Sequence, residues 1–504
     1  MNGEILEFIG RIPLLATAIG LEDTETPEGL RLGILSLFPA ILALLLCFRY
    51  RRPLPAIWVG AVVGFVLWIV QPSTNLSMLY QWFPYDTMIG LLGLIATFGL
   101  MLGLWRTNGA ALAFAEAISR RFVRGPRSAK LAAWGLGVLF FQGGAFSAVL
   151  VGGVIKPLAD RHRVSHEELS YVIDATSSPI SLLIPLNAWP FYVQGLLAVS
   201  GVAFLTTAYD RILFYVQSVP LFFFAMLSVT FTFLLAIDRL PFMGQRFRRA
   251  VTRARDTGKL DSAHAQPLST PILSHSAIAR GYEPRPSEFY LGIAGIIVMF
   301  VVAFRFLGPA WAFLTMGLGL VPAMLVSVKR GLAWNVLGRG LAYGTASVLP
   351  ICLLLVAAVM LGSLSGELGA GHFVSRQLSG AIHPLFLPAT LFLLSGVLAF
   401  GTGSSWGTFA LVLPFSMPLA WAVAIVTEVA HPQFLLMLCL AASVNGSVFG
   451  DQCSPLSDTT ILSSAASGCD VMDHVRTQWI PSAFAAAFAM VLWTLLAIIA
   501  TWGF

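Results

Sequence analysis

The chain has 504 residues, of which 57% are hydrophobic and 11% charged, and its mean hydropathy is +0.82. A soluble domain carries about 25% charged residues, so the composition excludes a soluble globular fold. The net charge of +6 does not point to nucleic acid, because the basic residues gather in loops, as the positive-inside rule expects of a membrane protein.

Residues 1–30 form an N-terminal segment holding Glu4, Glu7, Glu22, Asp23, Glu25 and Glu28. It lacks a basic start followed by an apolar core, so no cleavable signal peptide is expected. Runs of about 18 or more apolar residues read as transmembrane helices, and the first lie near 33–48, 54–71 and 86–105. Arg49, Arg51 and Arg52 place the first loop in the cytoplasm. The next loop, 72–85, has no Lys or Arg and belongs outside. Segment 106–130, with Arg106, Arg120, Arg121, Arg124, Arg127 and Lys130, is inside again.

A Gly-rich interruption follows at FFQGGAFSAVLVGG (140–153), then a polar break at DATSSPIS (174–181), then an apolar run at 213–237. Residues 238–288 hold nine basic and five acidic residues and read as a basic cytoplasmic linker. It divides a first membrane repeat, 31–237, from a second, 289–504. The second half has runs at 290–306, 310–328 and 341–361, and an outside loop at 362–383. A second Gly-rich interruption, FGTGSSWGTF (400–409), a second polar break, DQCSPLSD (451–458), and a last run at 479–501 complete it.

Three spans thus precede an inside loop in one half and an outside loop in the other, which predicts two inverted-topology repeats. Ser178-Pro179-Ile180-Ser181 and Ser454-Pro455-Leu456-Ser457, which differ only by Ile for Leu, occupy matching places. The expected fold is an all-α polytopic membrane protein, each repeat holding a re-entrant helical hairpin and a broken transmembrane helix. The five cysteines (Cys47, Cys352, Cys439, Cys453, Cys469) show no CxxC spacing, so neither a disulfide framework nor a zinc site is expected.

Proline and small polar residues interrupt a membrane helix by removing or competing for backbone hydrogen bonds. Freed carbonyls at membrane depth are tolerated only where protein or a water-lined cavity satisfies them. Two facing breaks offer carbonyl and hydroxyl oxygens to a hard cation, while half-helix N-termini can face an anionic group. A buried ionised Asp at mid-membrane costs about 2.5–3.5 kcal/mol on insertion scales, so Asp174, Asp451 and Asp458 point to ion or proton coupling. The competing role is capping of a half-helix, since Ser177 and Ser178 follow Asp174 and Ser454 follows Asp451. Trp189 and Trp406 either stack on a substrate or pack beside its pocket. The G-x-S-x-G match at 403–407 lacks the strand–turn–helix context of a hydrolase. An intramembrane aspartyl protease would leave the repeat unexplained. With no P-loop, energy must come from a gradient.

Gly450-Asp451-Gln452-Cys453-Ser454-Pro455-Leu456-Ser457-Asp458-Thr459-Thr460 and Gly468-Cys469-Asp470 through Asp473-His474-Val475-Arg476-Thr477-Gln478 resemble the signature of the NhaC-type sodium/proton antiporter family, as do Gly403-Ser404-Ser405-Trp406-Gly407-Thr408-Phe409 and Tyr171-Val172-Ile173-Asp174-Ala175-Thr176. The resemblance runs from about residue 130 to the C-terminus. It implies the ion transporter superfamily, inverted repeats, elevator-like movement and a homodimer. It also implies a bacterial-type inner membrane location, with linker 238–288 cytoplasmic. Many antiporter-like relatives carry two adjacent aspartates at the first hairpin tip, where this chain has Gly143 and Gly144. That departure leaves room for a larger cargo.

The expected activity is therefore sodium/proton antiport, or sodium- or proton-coupled carriage of a small amino or organic acid. No cofactor and no nucleic-acid partner are expected, only the bilayer and the cargo. Asp174, Thr176, Ser177, Ser178, Asp451, Ser454, Asp458 and Thr459 are the expected cation and proton site, with sodium at Asp174, Ser178, Asp451 and Ser454. The hairpin tips Gly143, Gly144, Ser147, Gly403, Ser404, Ser405 and Thr408 would close over the cargo.

Overall fold

The computed structural model describes residues 33–503 apart from 51, 71–84, 142–143, 186, 201, 203, 268–277, 280, 308 and 370–382. The segment 1–30, Gly143, most of loops 72–85 and 362–383, and part of the 238–288 linker lie outside the described residues. Everything regular among the described residues is helical.

Six helices are long and apolar enough to cross a bilayer, and eight spans result if each of two bent pairs counts as one. This is a multi-pass membrane protein. Its lipid face carries exposed apolar side chains such as Leu45, Val62, Val298, Val301, Leu353 and Val491. In water such a surface would be an aggregation hazard.

The helices pack as two groups. The first contains α1 (Phe38–Tyr50), α2 (Pro53–Ile69), α3 (Tyr85–Asn108) and α4 (Ala110–Phe122). From the second half of the chain it takes α13 (Pro286–Leu307), α14 (Pro309–Thr315), α15 (Val321–Lys329) and α16 (Trp334–Glu367). The apolar run at 310–328 is not one helix. Prolines at 309 and 322 and a 3-10 turn at Met316–Leu320 divide it, as a missing N–H and a fixed φ require.

The second group contains α5 (Pro126–Leu139), α6 (Gly144–Arg161), α7 (His166–Ala175), α8 (Ser178–Leu183) and α11 (Phe223–Ala236). It is completed by α17 (Leu387–Thr402), α18 (Ser405–Val426), α19 (Pro432–Cys453), α20 (Asp458–Ser467) and α21 (Val471–Trp502). Its tightest pair is α17 with α19, because a Cβ on Gly446 or Gly450 would run into the backbone of Phe392 or Gly396. Phe224, Phe392, Phe449 and Trp493 stack around that pair. Between the groups lies α9 (Ala188–Leu197), which touches α3 and α16 on one side and α18 on the other.

Two further helices complete the chain. The run at 213–237 becomes α10 (Ala208–Ser218) and α11, bent by 49° at Phe222, just after a 3-10 turn that holds Pro220. The linker folds into α12 (Gln245–Thr257), which docks on the second group. Arg253 binds Glu167 at 2.8 Å, and Arg255 stands 3.5 Å from Glu168 and 3.4 Å from Asp238. Beneath them the fully buried Lys130 donates to Glu168 at 2.9 Å, to the Leu235 carbonyl at 2.9 Å and to Asp238 at 2.5 Å. Burial works to raise the Asp238 carboxyl, but the hydrogen bonds from Lys130 and Arg127 outweigh it and hold the group below its usual range. Beyond α12, Ser262 donates to Asp473, and the Gln266 N–H donates to Asp470 at 3.0 Å. Further on, the Ala279 N–H donates to the Thr107 carbonyl of α3 at 3.1 Å.

Candidate functional site

Both polar breaks are interruptions between consecutive helices. The first begins from a well-capped helix: Ser165 accepts from the Glu168 N–H while Glu168 reaches back to the Ser165 N–H, a capping box at the start of α7. α7 then stops at Ala175 and α8 starts at Ser178, with Pro179 in its first turn. A second interruption separates α8 from α9, where Asn187 caps by accepting from the Trp189 N–H at 2.8 Å. Its amide also donates to the carbonyls of Ser181 and Ile184, both at 2.8 Å.

The second break separates α19, ending at Cys453, from α20, whose N-cap is Ser457. Neither Asp174 nor Asp451 is a cap: each sits in the last turn of the helix before its break. A carboxylate near a helix C-terminus opposes the macrodipole, so neither position is explained by helix stability. Asp458 occupies the first turn of α20, where a carboxylate suits the dipole. It differs from the other two aspartates in burial. Asp174 and Asp451 are 1% and 2% accessible, whereas Asp458 is exposed, despite being closely surrounded by protein. It therefore lines a crevice.

The second hairpin reaches the break. α17 and α18 are joined through Gly403, whose φ of +65° only glycine adopts without strain. Ser404 caps α18 by accepting from the Gly407 N–H at 3.1 Å, and Thr408 donates back to the Ser404 carbonyl at 2.9 Å. The neighbouring Ser405 donates to the Asp451 carboxylate at 2.8 Å. Ser454 donates to the Phe400 carbonyl at 2.8 Å and so ties the break to α17. Ser457, beside Asp451, stands 2.9 Å from the Thr459 hydroxyl.

The two breaks meet through Thr460. Its hydroxyl lies 3.4 Å from Asp174 Oδ2, 3.4 Å from the Asp451 carbonyl and 3.2 Å from the Gln452 carbonyl. On the other side of Asp174, His474 Nε2 lies 3.2 Å from the same Oδ2. Thr176 donates to the Val172 carbonyl at 2.7 Å, inside its own helix. Ser177 and Ser178 are buried, and their side-chain hydroxyls have no hydrogen-bond partner. Among the described residues of the first hairpin, Gly144 opens α6 and Ser147 is buried.

Sequence reading missed Thr460, Gln452, Gln478 and His474 as members of the site. Gln478 donates to the Gln452 carbonyl. The periodicity of α21 offered one signal: His474, Gln478 and Ser482 recur every four residues along one face of the helix and are all buried. Trp189 and Trp406 do pack against each other, with centroids 5.1 Å apart, and Tyr192 donates to the Trp406 carbonyl at 3.1 Å. These rings join α9 to the second hairpin tip. Among the described residues no three His, Cys, Asp or Glu are grouped as a transition-metal site would need. The available oxygens are carbonyls, hydroxyls and single carboxylates, a donor set suited to a hard monovalent ion or a proton.

The sequence pattern of the Na+/H+ antiporter family matches residues 188–498. An uncharacterized protein of Haemophilus influenzae is 28% identical over 467 residues, covering 88% of this chain and 87% of its own. A Bacillus subtilis protein named malate-2H(+)/Na(+)-lactate antiporter is 32% identical over 176 residues, 34% of this chain and 35% of its own. In three dimensions the chain is similar to the crystal structure of the Alcanivorax borkumensis YdaH transporter, with a TM-score of 0.51 at 13% identity. That match covers 91% of this chain and 97% of the other, and it concerns the fold alone.

Proposed function

This chain belongs to the Na+/H+ antiporter family, and from that premise we propose that it exchanges sodium for protons at the meeting point of its two helix breaks. The observation that carries the reading is the hydrogen bond from Ser405, on the second hairpin tip, to the buried carboxylate of Asp451. A tip that touches the charged group of a break can open or seal access to it. Sodium would take oxygens from Asp451, Ser405, Ser457 and Thr459, with Asp174 and Ser178 on the facing break. Asp458 would lie on the path to water. The linker would face the cytoplasm, and the breaks would lie near the membrane midplane as parts of two inverted repeats.

Movement of the elevator kind is supported by the division of the helices into two groups, with α9 and the Trp189–Trp406 contact between them. The second group carries both breaks and would shift against the first. A second reading, carriage of a small organic acid, is favoured by the aromatic wall of Trp189, Tyr192 and Trp406 beside the tip. The partial similarity to a protein named for malate and lactate exchange favours it too.

The test is reconstitution in liposomes holding a pH dye, with sodium added outside. Sodium-dependent pH change in the wild type, abolished in Asp451→Asn with insertion and folding intact, is the expected result. Absence of any response in folded, inserted wild type refutes sodium/proton exchange and directs a screen to carboxylic and amino acids.

A further inference from the structure

A cavity of about 520 Å³, sharing no residue with either break, is lined by Arg124, Arg127, Ser128, Asp238 and Arg255. It lies where the chain passes from α4 of the first helix group to α5 of the second, and where α11 ends. Three arginines against one aspartate leave two positive charges in its wall. Lys130 and Glu168 beneath it are paired at 2.9 Å and cancel each other. The Asp238 carboxylate is already engaged, with Lys130 at 2.5 Å, Arg127 Nε at 2.8 Å and Arg255 at 3.4 Å.

The arginines keep donors in reserve. Arg127 spends only its Nε on Asp238, and the enclosed Nε of Arg255 has no partner. Arg124 contributes its backbone N–H, which donates to Ser128 Oγ at 2.8 Å, while its guanidinium has no partner among the described residues. The Gly125 N–H donates to the same hydroxyl at 2.8 Å, and Pro126 has no N–H. The turn is therefore fixed, and an incoming ligand meets guanidinium groups rather than these backbone donors. A guanidinium presents its donors as a planar fork that matches phosphate oxygens.

The flanks of the cavity are apolar and exposed. Phe122, two residues before Arg124, is 65% accessible. Phe233, about 7 Å back along α11 from Asp238 at 1.5 Å per residue, is 38% accessible and stacks on Trp134 at 5.2 Å. α11 belongs to a pair of helices that together are long and apolar enough to span the bilayer. A free anion gains nothing from such phenyl groups, whereas an acyl chain packs on them.

We propose that this cavity binds the phosphate of an anionic phospholipid, with Arg124 and Arg127 as the principal donors and the acyl chains toward Phe122 and Phe233. The site is independent of what the breaks carry. A headgroup held there bridges the α4–α5 connection, the end of α11 and the linker helix α12.

The experiment titrates phosphatidylglycerol or phosphatidylcholine into purified full-length protein in neutral detergent, with bound copies counted by native mass spectrometry. Glycerol 3-phosphate and inorganic phosphate are added as soluble competitors. Saturable binding of phosphatidylglycerol is expected, weakened about 5-fold or more in Arg124→Gln, the contribution of one arginine beside an anionic headgroup. Arg124→Lys, which keeps the charge, should recover part of the loss. Arg249→Gln, exposed on α12 outside the cavity, should bind as wild type. An equal loss in Arg249→Gln and Arg124→Gln means diffuse attraction and overturns the site. Equal affinity for phosphatidylcholine overturns recognition of the anionic charge. Displacement by either soluble phosphate at the lipid's own concentration reveals a free-phosphate site and overturns the lipid assignment. Should Arg124→Gln not fold, Arg127→Gln carries the test with the same expected loss, since Asp238 keeps its bond to Lys130.

Discussion

Replacing Gly403 by Ala tests whether the second hairpin tip is held against the break as described. The methyl group would stand 2.6 Å from the Leu456 carbonyl oxygen and 2.7 Å from its carbonyl carbon. Both are backbone atoms and cannot rotate aside. The φ of +65° adds about 1–2 kcal/mol for a residue with a Cβ. If loop 454–457 retreats to relieve the contact, the Ser454 bond to the Phe400 carbonyl is also lost, at about 1 kcal/mol. The total, about 2–3 kcal/mol, is about 30- to 150-fold in an equilibrium constant at 1.4 kcal/mol per decade. The expected result is a loss of that size in apparent sodium affinity, read from the pH dye in proteoliposomes. Gly153→Ala, on α6 with nothing near its added methyl, should behave as wild type. Wild-type affinity and wild-type thermal stability in Gly403→Ala would refute the placement of the tip against Leu456.

Ser405→Ala removes a hydrogen bond to a buried carboxylate, about 1.5–3 kcal/mol. It should weaken apparent sodium affinity by about 10-fold or more, and an unchanged affinity would remove the tip from the site. Lys130→Met leaves the buried Glu168 with Arg255 at 3.5 Å and its bonds to Ser165. The variant should lose about 3 kcal/mol of stability. Adding Glu168→Met should recover much of that loss, as measured by thermal unfolding in detergent. Asp238 has its carboxyl held below the usual range, so its contribution is present above that range and disappears as pH falls through the depressed value. Asp238→Asn should lower stability at neutral pH and make the decline in acid shallower. An unaltered acid limb would show that the Lys130 and Arg127 contacts are not maintained in solution.

The spans were legible because each is a long apolar run, and the positions of α3, α13, α16 and α21 agree with it. The breaks were legible because Pro179 and Pro455 stand among hydroxyls and acids that have no reason to lie in a span. What could not be read were contacts made across long sequence separations. The Ser405–Asp451 bond depends on how far α17 reaches before Gly403 turns it. The His474–Asp174 contact joins helices 300 residues apart, and in sequence His474 belongs to a polar stretch that looks like any loop beside a membrane. Burial also departed from expectation: Asp458 carries the same signature as Asp451 but is exposed, while Thr459 and Thr460 of the same turn are buried.

The moorings of the linker set a mechanical limit. At one end the chain is fastened to the second helix group by Gln266 on Asp470, and at the other to the first group by Ala279 on Thr107. Only the thirteen residue steps from Gln266 to Ala279 join the two groups along this route. A chain of that length spans at most about 45 Å. Under the proposed movement of one group against the other, a connection of this length would limit the stroke along this route. Deleting residues from it one at a time would turn it into a ruler: if the proposed movement occurs, the deletion at which turnover stops would measure its extent, and turnover indifferent to every deletion would count against it.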